Sequence, residues 1–400
     1  MNPQKMTFLY KFTLPAMFGI IISCSPTKFS SVTNVATLCD STDTSCAVNQ
    51  SYATIIKNFK IGSGKIDILF VNDNSASMSS IQTEIANRFS GFIQNLDAKK
   101  IDYKIAVTTT DVPAVTANKL TVFGNGKTSL TNVDSDRVSL FRSAIQRNET
   151  LACETFIVSM FNTYGLNFQS QSDYAAGYPT QCPSPDTRGI YTANYVLSKN
   201  SDSFLRSDAN LSVILISNDD VRQGRYLTDS AYALDPMDTA QNFTTMMNQN
   251  YRTKYWDFNS IIVKDSSCQQ QQVLKNAQGQ VIVGSSGQPA VKGGIGQEYA
   301  NLSNAATIDI NNNPRPRGQT LDICQSNYAQ YFNAMATQIS DASRQMTLKC
   351  KPTEAPNVVK TSAGTAAVPF VWDGNDKITF QLGTEGTPVT VSYRCLAGAL

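Results

Sequence analysis

The chain has 400 residues, with 33 Lys and Arg against 31 Asp and Glu, nine Cys and not one His. A sequence without histidine excludes Ser-His-Asp and Cys-His catalysis and histidine-ligated metal sites, and no long basic run marks a nucleic-acid surface. The length suits one large domain plus a small one.

The first residues read as an export signal. Lys5 and Lys11 precede an apolar stretch from Phe12 to Ile22, and Ser23 and Cys24 follow. That stretch is shorter than the about twenty apolar residues that span a bilayer, so residues 1–23 are expected to be a signal peptide. Ile21-Ile22-Ser23-Cys24 resembles the bacterial lipobox, in which the cysteine is lipidated and becomes the mature N-terminus. The alternative is an ordinary signal peptide with a stray cysteine. The resemblance implies a bacterial cell-envelope lipoprotein of the outer membrane, periplasmic or surface-exposed, with the membrane reached through the N-terminal lipid on Cys24. Removal of residues 1–23 takes away two lysines and no acid, which leaves a net charge of zero. Residues 24–60 are rich in Ser, Thr, Asn and Val and are expected to be a flexible tether.

Lys65 to Asn72 is an apolar run of the kind buried in a parallel sheet. Asp67 within it reads as structural or as lying near the solvated start of the strand. Asp73, Ser75 and Ser77 follow at its carboxyl end, where ligands of open α/β sheets bind. Three small oxygen ligands on one turn suit a hard divalent cation such as Mg²⁺. Ile81, Ile85, Phe89, Phe92, Ile93 and Leu96 then recur at helical spacing after the capping serines Ser79 and Ser80. Tyr103 to Thr109 is a second strand. Residues 111–188 are poorly periodic and are expected to be decorative loops held by Cys153 and Cys182. Gly189 to Leu197 reads as a helix. Leu211 to Ser217 reads as a buried strand ending at Asn218-Asp219-Asp220, and Phe258 to Val263 as another. Gln269 to Gly296 reads as an inserted loop or hairpin, and Asn327 to Ala342 as a closing helix. Strands alternating with helices imply a doubly wound, mainly parallel α/β sheet over residues 61–345. Residues 346–400 carry short β-rich runs separated by turns and read as a small antiparallel β module. Trp256 and Trp372 are expected to be packing residues.

If Cys24 carries lipid, eight cysteines remain, and eight allow 105 connectivities. The sequential pairing Cys39–Cys46, Cys153–Cys182, Cys268–Cys324 and Cys350–Cys395 is expected. A zinc site is disfavoured, because no Cys-x-x-Cys pair exists.

The run from Asp67 to Met78, with Asp73-x-Ser75-x-Ser77 after the strand, resembles the first motif of von Willebrand factor type A domains. The resemblance extends from about Ile61 to Arg344. Leu205 to Asp220 resembles the fourth-strand region of bacterial lipoprotein members, and Gly296 to Leu302 followed by Asp322-Ile323-Cys324 resembles their last strand and helix. It implies a metal-ion-dependent adhesion site for Mg²⁺, or Mn²⁺ or Ca²⁺, held by Asp73 through water, Ser75 and Ser77. Thr187 is the candidate from a second loop, with Ser184 in reserve. Asn218 stands where an aspartate normally follows the fourth strand, and Asp219 is the alternative one residue later. The function implied is that of a non-enzymatic adhesion protein, whose metal captures a carboxylate of a protein partner. A scaffold with a degenerate metal site is the second reading. A hydrolase is the third, although no nucleophile and base are paired in the sequence.

Overall fold

The computed structural model describes residues 46–396 other than 49–51, 62–64, 252–253, 274–279, 284–288, 290, 309–313, 326, 363–365, 382–383 and 385. The expected signal peptide, Cys24 and the Cys39 end of the Cys39–Cys46 pair lie outside the described residues. Strands β1 (Cys46–Val48) and β2 (Tyr52–Lys60) come first. β3 (Lys65–Asn72) runs through a short 3-10 turn into α1 (Ser79–Ala98) and on to β4 (Asp102–Thr109). Then follow α2 (Val112–Asn118), β5 (Leu130–Thr131), α3 (Arg137–Ile145), α4 (Asn148–Tyr164), α5 (Ser172–Gln181) and α6 (Gly189–Lys199). β6 (Asn210–Ser217), α7 (Ala240–Asn250), β7 (Trp256–Ile262), α8 (Ser266–Gln271) and α9 (Gln297–Ser303) come next. β8 (Ala306–Ile308), β9 (Pro314–Pro316), β10 (Thr320–Asp322) and α10 (Tyr328–Ser343) complete the large domain. The last strands are β11 (Gln345–Thr347), β12 (Asn357–Lys360), β13 (Phe370–Trp372), β14 (Lys377–Phe380) and β15 (Pro388–Leu396).

Six strands form the central sheet in the order β10-β7-β6-β3-β4-β5, all parallel except the edge strand β5. From β3 the chain winds outward through β4 and β5, then returns past β3 to β6, β7 and β10. Connections therefore leave β3 and β6 in opposite directions, and a crevice opens between them at their carboxyl ends. This is the doubly wound, mainly parallel α/β sheet expected from the sequence. β3 is apolar throughout because both its faces are covered. Ile68 and Phe70 join one core layer with α1, α3 and α10, while Leu69 and Val71 join the other with α6, α7 and α9. Phe70 meets the rings of Phe89, Phe92 and Phe141 at centroid distances of 5.9, 6.1 and 4.7 Å. Among the described residues, no helix is long and apolar enough to cross a membrane.

Asp67 is fully buried, so the solvated-start reading is corrected. Its carboxylate accepts from the Arg206 backbone N–H (2.7 Å) and Nε (2.8 Å), and Arg206 also reaches Asp102 at 2.7 Å. Asp257 on β7 is buried too, accepting from Ser212 Oγ at 2.6 Å and Asn259 Nδ2 at 2.7 Å. Trp256 packs against Phe243, with the Arg317 guanidinium over its indole at 4.0 Å. Trp372 is half-buried and donates to the Asn375 carbonyl.

Three expectations need correction. The tether reading fails at Tyr52–Lys60, because β2 pairs with β15 along its whole length, from Tyr52↔Leu396 to Lys60↔Pro388. Ala53 and Ile55 face a core with Val358, Phe380, Val389, Val391 and Tyr393. The alternation is weakened by Ile56, which is 41% exposed. The β module is thus two sheets, β1-β2-β15-β12 and β11-β14-β13, and the large domain is inserted within it. Residues 111–188 hold four helices between β4 and α6, where loops were expected. Their pattern is weak because α5 buries no residue and α4 buries only Thr150 and Cys153. The run after Gly296 is helix α9, and β10 is the last strand of the large sheet. Within the Gln-rich insertion, Val273 pairs with Val291 and Val283 with Pro289 as isolated antiparallel bridges. Disulfides Cys153–Cys182, Cys268–Cys324 and Cys350–Cys395 are formed as expected.

Two outcomes follow from this packing. Deleting residues 46–60 should open the β module, because the inner faces of β15 and β14 lose their cover. Limited proteolysis should then cut within 346–396 while the large domain persists, and equal resistance in the truncated chain would refute the shared sheet. Burial pushes the Asp257 carboxyl up to about 6 from 3.8, so its contribution to stability is full below 3.8 and is lost as the pH rises through about 6. Asp257→Asn should remove that part of the decline in urea midpoint between about pH 4 and pH 7. An unchanged slope would assign the titration elsewhere.

Candidate metal centre

The carboxyl ends of β3 and β6 build the centre. Ile216 is the register partner of Asn72, which puts Ser217 beside Asp73 one residue later. The Asp73 backbone N–H donates to the Ile216 carbonyl at 2.9 Å, extending the ladder into the turn. Asp73 Oδ2 accepts from Ser217 Oγ at 2.6 Å, and Oδ1 accepts from the Ser75 backbone N–H at 2.8 Å. The second of these bonds reverses the chain, so that Ala76–Met78 can start toward α1 with Met78 buried. Ser79 does not cap α1; its hydroxyl donates to Glu154 of α4.

The turn is pinned from the side. Gln82 Nε2 of α1 donates to the Asp73 carbonyl at 2.8 Å, and Thr150 Oγ1 of α4 donates to the Asn74 carbonyl at 2.9 Å. Ser75 Oγ and Ser77 Oγ then lie 3.1 Å apart, and Ser77 Oγ donates to Asn218 Oδ1 at 3.0 Å. Four of the six expected ligands, Asp73, Ser75, Ser77 and Asn218, are therefore joined in one hydrogen-bonded set.

Thr187 sits on the neighbouring loop but turns its hydroxyl to the Asp220 carbonyl at 3.1 Å. That loop is held by Arg188, which makes two bonds to buried Asp238 at 2.9 and 2.7 Å. Removing one partner of such a buried pair costs about 3–5 kcal/mol. Arg222 adds a bond to Asp186 at 3.2 Å. Ser184 faces away from the serine pair, with its N–H on Asp111 at 3.3 Å and its Oγ accepting from Asp186 N–H at 3.2 Å. The Asp219 carboxylate lies against Gly294, where a Cβ would be 3.5 Å from Oδ1, and makes no bond to the serines. Burial, with the Asp73 charge second, pushes Asp219 up to about 7. Asp220 is buried and accepts from Glu298 N–H at 3.0 Å and Tyr226 OH at 2.8 Å, so its role is to join β6 to α9.

Sequence reasoning did not single out Ser217, Gln82 or Thr150. For Ser217 a signal existed, since extending the β3–β6 register by one residue puts its hydroxyl opposite Asp73. Gln82 and Thr150 act through backbone carbonyls and leave no motif.

Asp73 is 0% exposed, and among the described residues no Lys or Arg lies within 4.0 Å of its carboxylate. Burial holds its carboxyl above the ordinary 3.8, against the bonds from Ser217 and Ser75. A buried carboxylate without a positive partner takes up a proton or a cation. The donors beside it are all oxygen, as Mg²⁺ and Mn²⁺ prefer. Their spacings of 3.1 and 3.0 Å are close to the edge of about 2.9 Å in an octahedron with metal–oxygen bonds of about 2.0–2.1 Å. The residues present fit a hard divalent cation. Cys268, Asp322 and Cys324 also cluster within 4.8 Å, but the two sulfurs are bonded to each other and supply no thiolate.

Neither a protein-family model nor a curated protein matches the chain. Solved structures do. The pilus adhesin SpaC from Lactobacillus rhamnosus GG, in its open conformation, is 10% identical over 87% of this chain and 41% of its own, with a TM-score of 0.31. Proximal thread matrix protein 1 from the mussel byssus is 10% identical over 73% and 52%, with a TM-score of 0.32. A von Willebrand factor type A structure from Catenulispora acidiphila is 11% identical over 87% and 62%, with a TM-score of 0.36. The chain spans between 41% and 62% of the length of these proteins, and at such scores no function transfers from them. The structures that this chain resembles thus include one of the type A family, whose first motif Asp73, Ser75 and Ser77 match in sequence.

Proposed function

We propose that the protein is a non-enzymatic adhesion protein. It binds a divalent cation of the Mg²⁺ class at Asp73, Ser75, Ser77 and Asn218 and uses it to hold a carboxylate of a protein partner. The observation that carries this reading is the buried Asp73 carboxylate, which among the described residues has no Lys or Arg within 4.0 Å, beside the half-buried Ser75 and Ser77. When bound, the ion supplies the positive charge that Asp73 lacks and coordination positions open toward solvent. Ser75 and Ser77 orient that charge outward, and Asp73 anchors it to the sheet. Thr187 joins by rotating its hydroxyl away from the Asp220 carbonyl. Export and a lipid on Cys24 would carry the centre to a bacterial cell envelope, on its periplasmic or its surface-exposed side. A scaffold with a degenerate site is the second reading, favoured by the neutral Asn218 and the averted Thr187.

Isothermal titration of the purified protein with Mn²⁺ and Mg²⁺ tests the proposal. One ion per chain is expected for wild type. Ser75→Ala and Ser77→Ala should weaken binding about tenfold or more, and Asp73→Ala should abolish it with the far-UV spectrum retained. Because the Asp73 carboxyl sits above 3.8, protons compete with the ion, and affinity should fall as the pH is lowered. No uptake by wild type, or equal uptake by Asp73→Ala, would leave the scaffold reading.

A further inference from the structure

Asn218 replaces an expected carboxylate, and its surroundings are shaped for an amide. Its side chain is fully buried. Oδ1 accepts from Ser77 Oγ at 3.0 Å. On the other side, Nδ2 donates to the Lys292 carbonyl at 3.0 Å, with Gln272 Oε1 at 3.5 Å. The Asn218 carbonyl accepts from the Gly294 N–H at 2.9 Å, so residues 292–294 run alongside it. A Cβ at Gly293 would meet the Asn218 carbonyl oxygen at 2.6 Å, so only glycine lets this strap approach. The strap is tied to Gln272, whose carbonyl accepts from the Lys292 N–H at 2.7 Å and which follows α8, whose Cys268 is bonded to Cys324 beyond β10.

We infer that Asn218 is a specified neutral ligand: a slot made by the Lys292 carbonyl and the Gln272 side chain takes its Nδ2 and thereby turns Oδ1 into the centre. The chemistry of the slot discriminates between amide and acid. Both of its groups facing Nδ2 are acceptors, and an amide has two N–H bonds to give them. A carboxylate in the same place sets a lone pair against the Lys292 carbonyl, leaves that carbonyl without a partner and frees the side chain to rotate. Asn218 is therefore a positioning and ligating residue at once. The site holds a neutral oxygen where a charged one would be misdirected. The inference rests on the proposed cation centre for its consequence, but the slot itself exists without an ion.

Two measurements separate these levels. In selectively ¹⁵N-asparagine-labelled protein with EDTA present, the side-chain NH₂ signal missing from Asn218→Asp should exchange with solvent slowly in wild type. Exchange at the rate of an exposed amide would overturn the slot. In Mn²⁺ titrations, Asn218→Asp should bind several-fold more weakly than wild type despite its added charge. Tighter binding by Asn218→Asp would overturn the inference, since it is what a decayed aspartate position returns when restored. If wild type takes up no Mn²⁺ at all, the cation reading falls, and the amide exchange still decides the slot.

Discussion

Burying a carboxylate away from water is costly unless donors, a proton or a positive charge replace its hydration. Asp73 is the place where this sheet accepts that cost. Two hydrogen bonds, from Ser217 and from the Ser75 backbone, replace part of the lost solvation. They also do the geometric work of the site, since one ties the turn to β6 and the other folds Ser75 and Ser77 over the strand end. Neither brings a charge. Much of the surrounding structure then acts to keep the turn from relaxing toward water. Gln82 and Thr150 hold its carbonyls from two helices, and the ladder bond to Ile216 holds its start. A turn fixed by this many local bonds gives its two hydroxyls little freedom, and that preorganisation is what a cation site with few ligands requires.

The large sheet was readable in the sequence because its strands are buried on both faces. Continuous runs such as Ile68 to Val71 and Val213 to Ile216 have no other stable place in a chain of this size. The motif at Asp73 was readable for the related reason that it follows such a run at a fixed offset. What escaped reading shares a different physical character. β2 presents only Ala53, Ile55 and half-covered Phe59 to its core, and Ile56 points outward, so no clean alternation survives. α4 and α5 are stabilised by the Cys153–Cys182 bond and by partly exposed rings, with Tyr174 stacking near Phe156, so they carry no apolar stripe. Thr187 and Asp219 were legible as neighbours of the centre, yet their orientation was not. Which way a hydroxyl or carboxylate turns depends on carbonyls and N–H groups that composition does not encode.

The β module has a topological consequence for that centre. The large domain is entered from β2, which pairs with β15 in one sheet of the module, and is left into β11, which belongs to the other sheet. The chain passes from β2 to β3 on the way in and from α10 to β11 on the way out, so the inserted domain joins the module at two points. The N-terminal end of the large domain is therefore reached through a paired strand, β2. Cys350–Cys395 closes the same module from its other side. Pulling on a partner held at the carboxyl ends of β3 and β6 would load this sheet along β2, against the nine register pairs with β15.

The amide at position 218 gives the proposed centre its energetic character. At an effective dielectric of about 20, two opposite unit charges about 4 Å apart attract by about 4 kcal/mol, and an amide oxygen forgoes most of that. Such a deficit is nearly three powers of ten in affinity relative to a carboxylate aimed at the ion, an orientation that the slot around residue 218 denies to an aspartate. Asp219 does not ligate in its place, because its carboxylate lies against Gly294 and makes no bond to Ser75 or Ser77. In the proposed function, a carboxylate from a partner would supply the missing charge directly at the ion. Coupling of this kind is reciprocal, so an ion that holds the partner more tightly is itself held more tightly by the partner. In the proposed centre, Lys292 and Gln272 would, by keeping the amide oriented and the charge low, make uptake of an ion and capture of a carboxylate into one event.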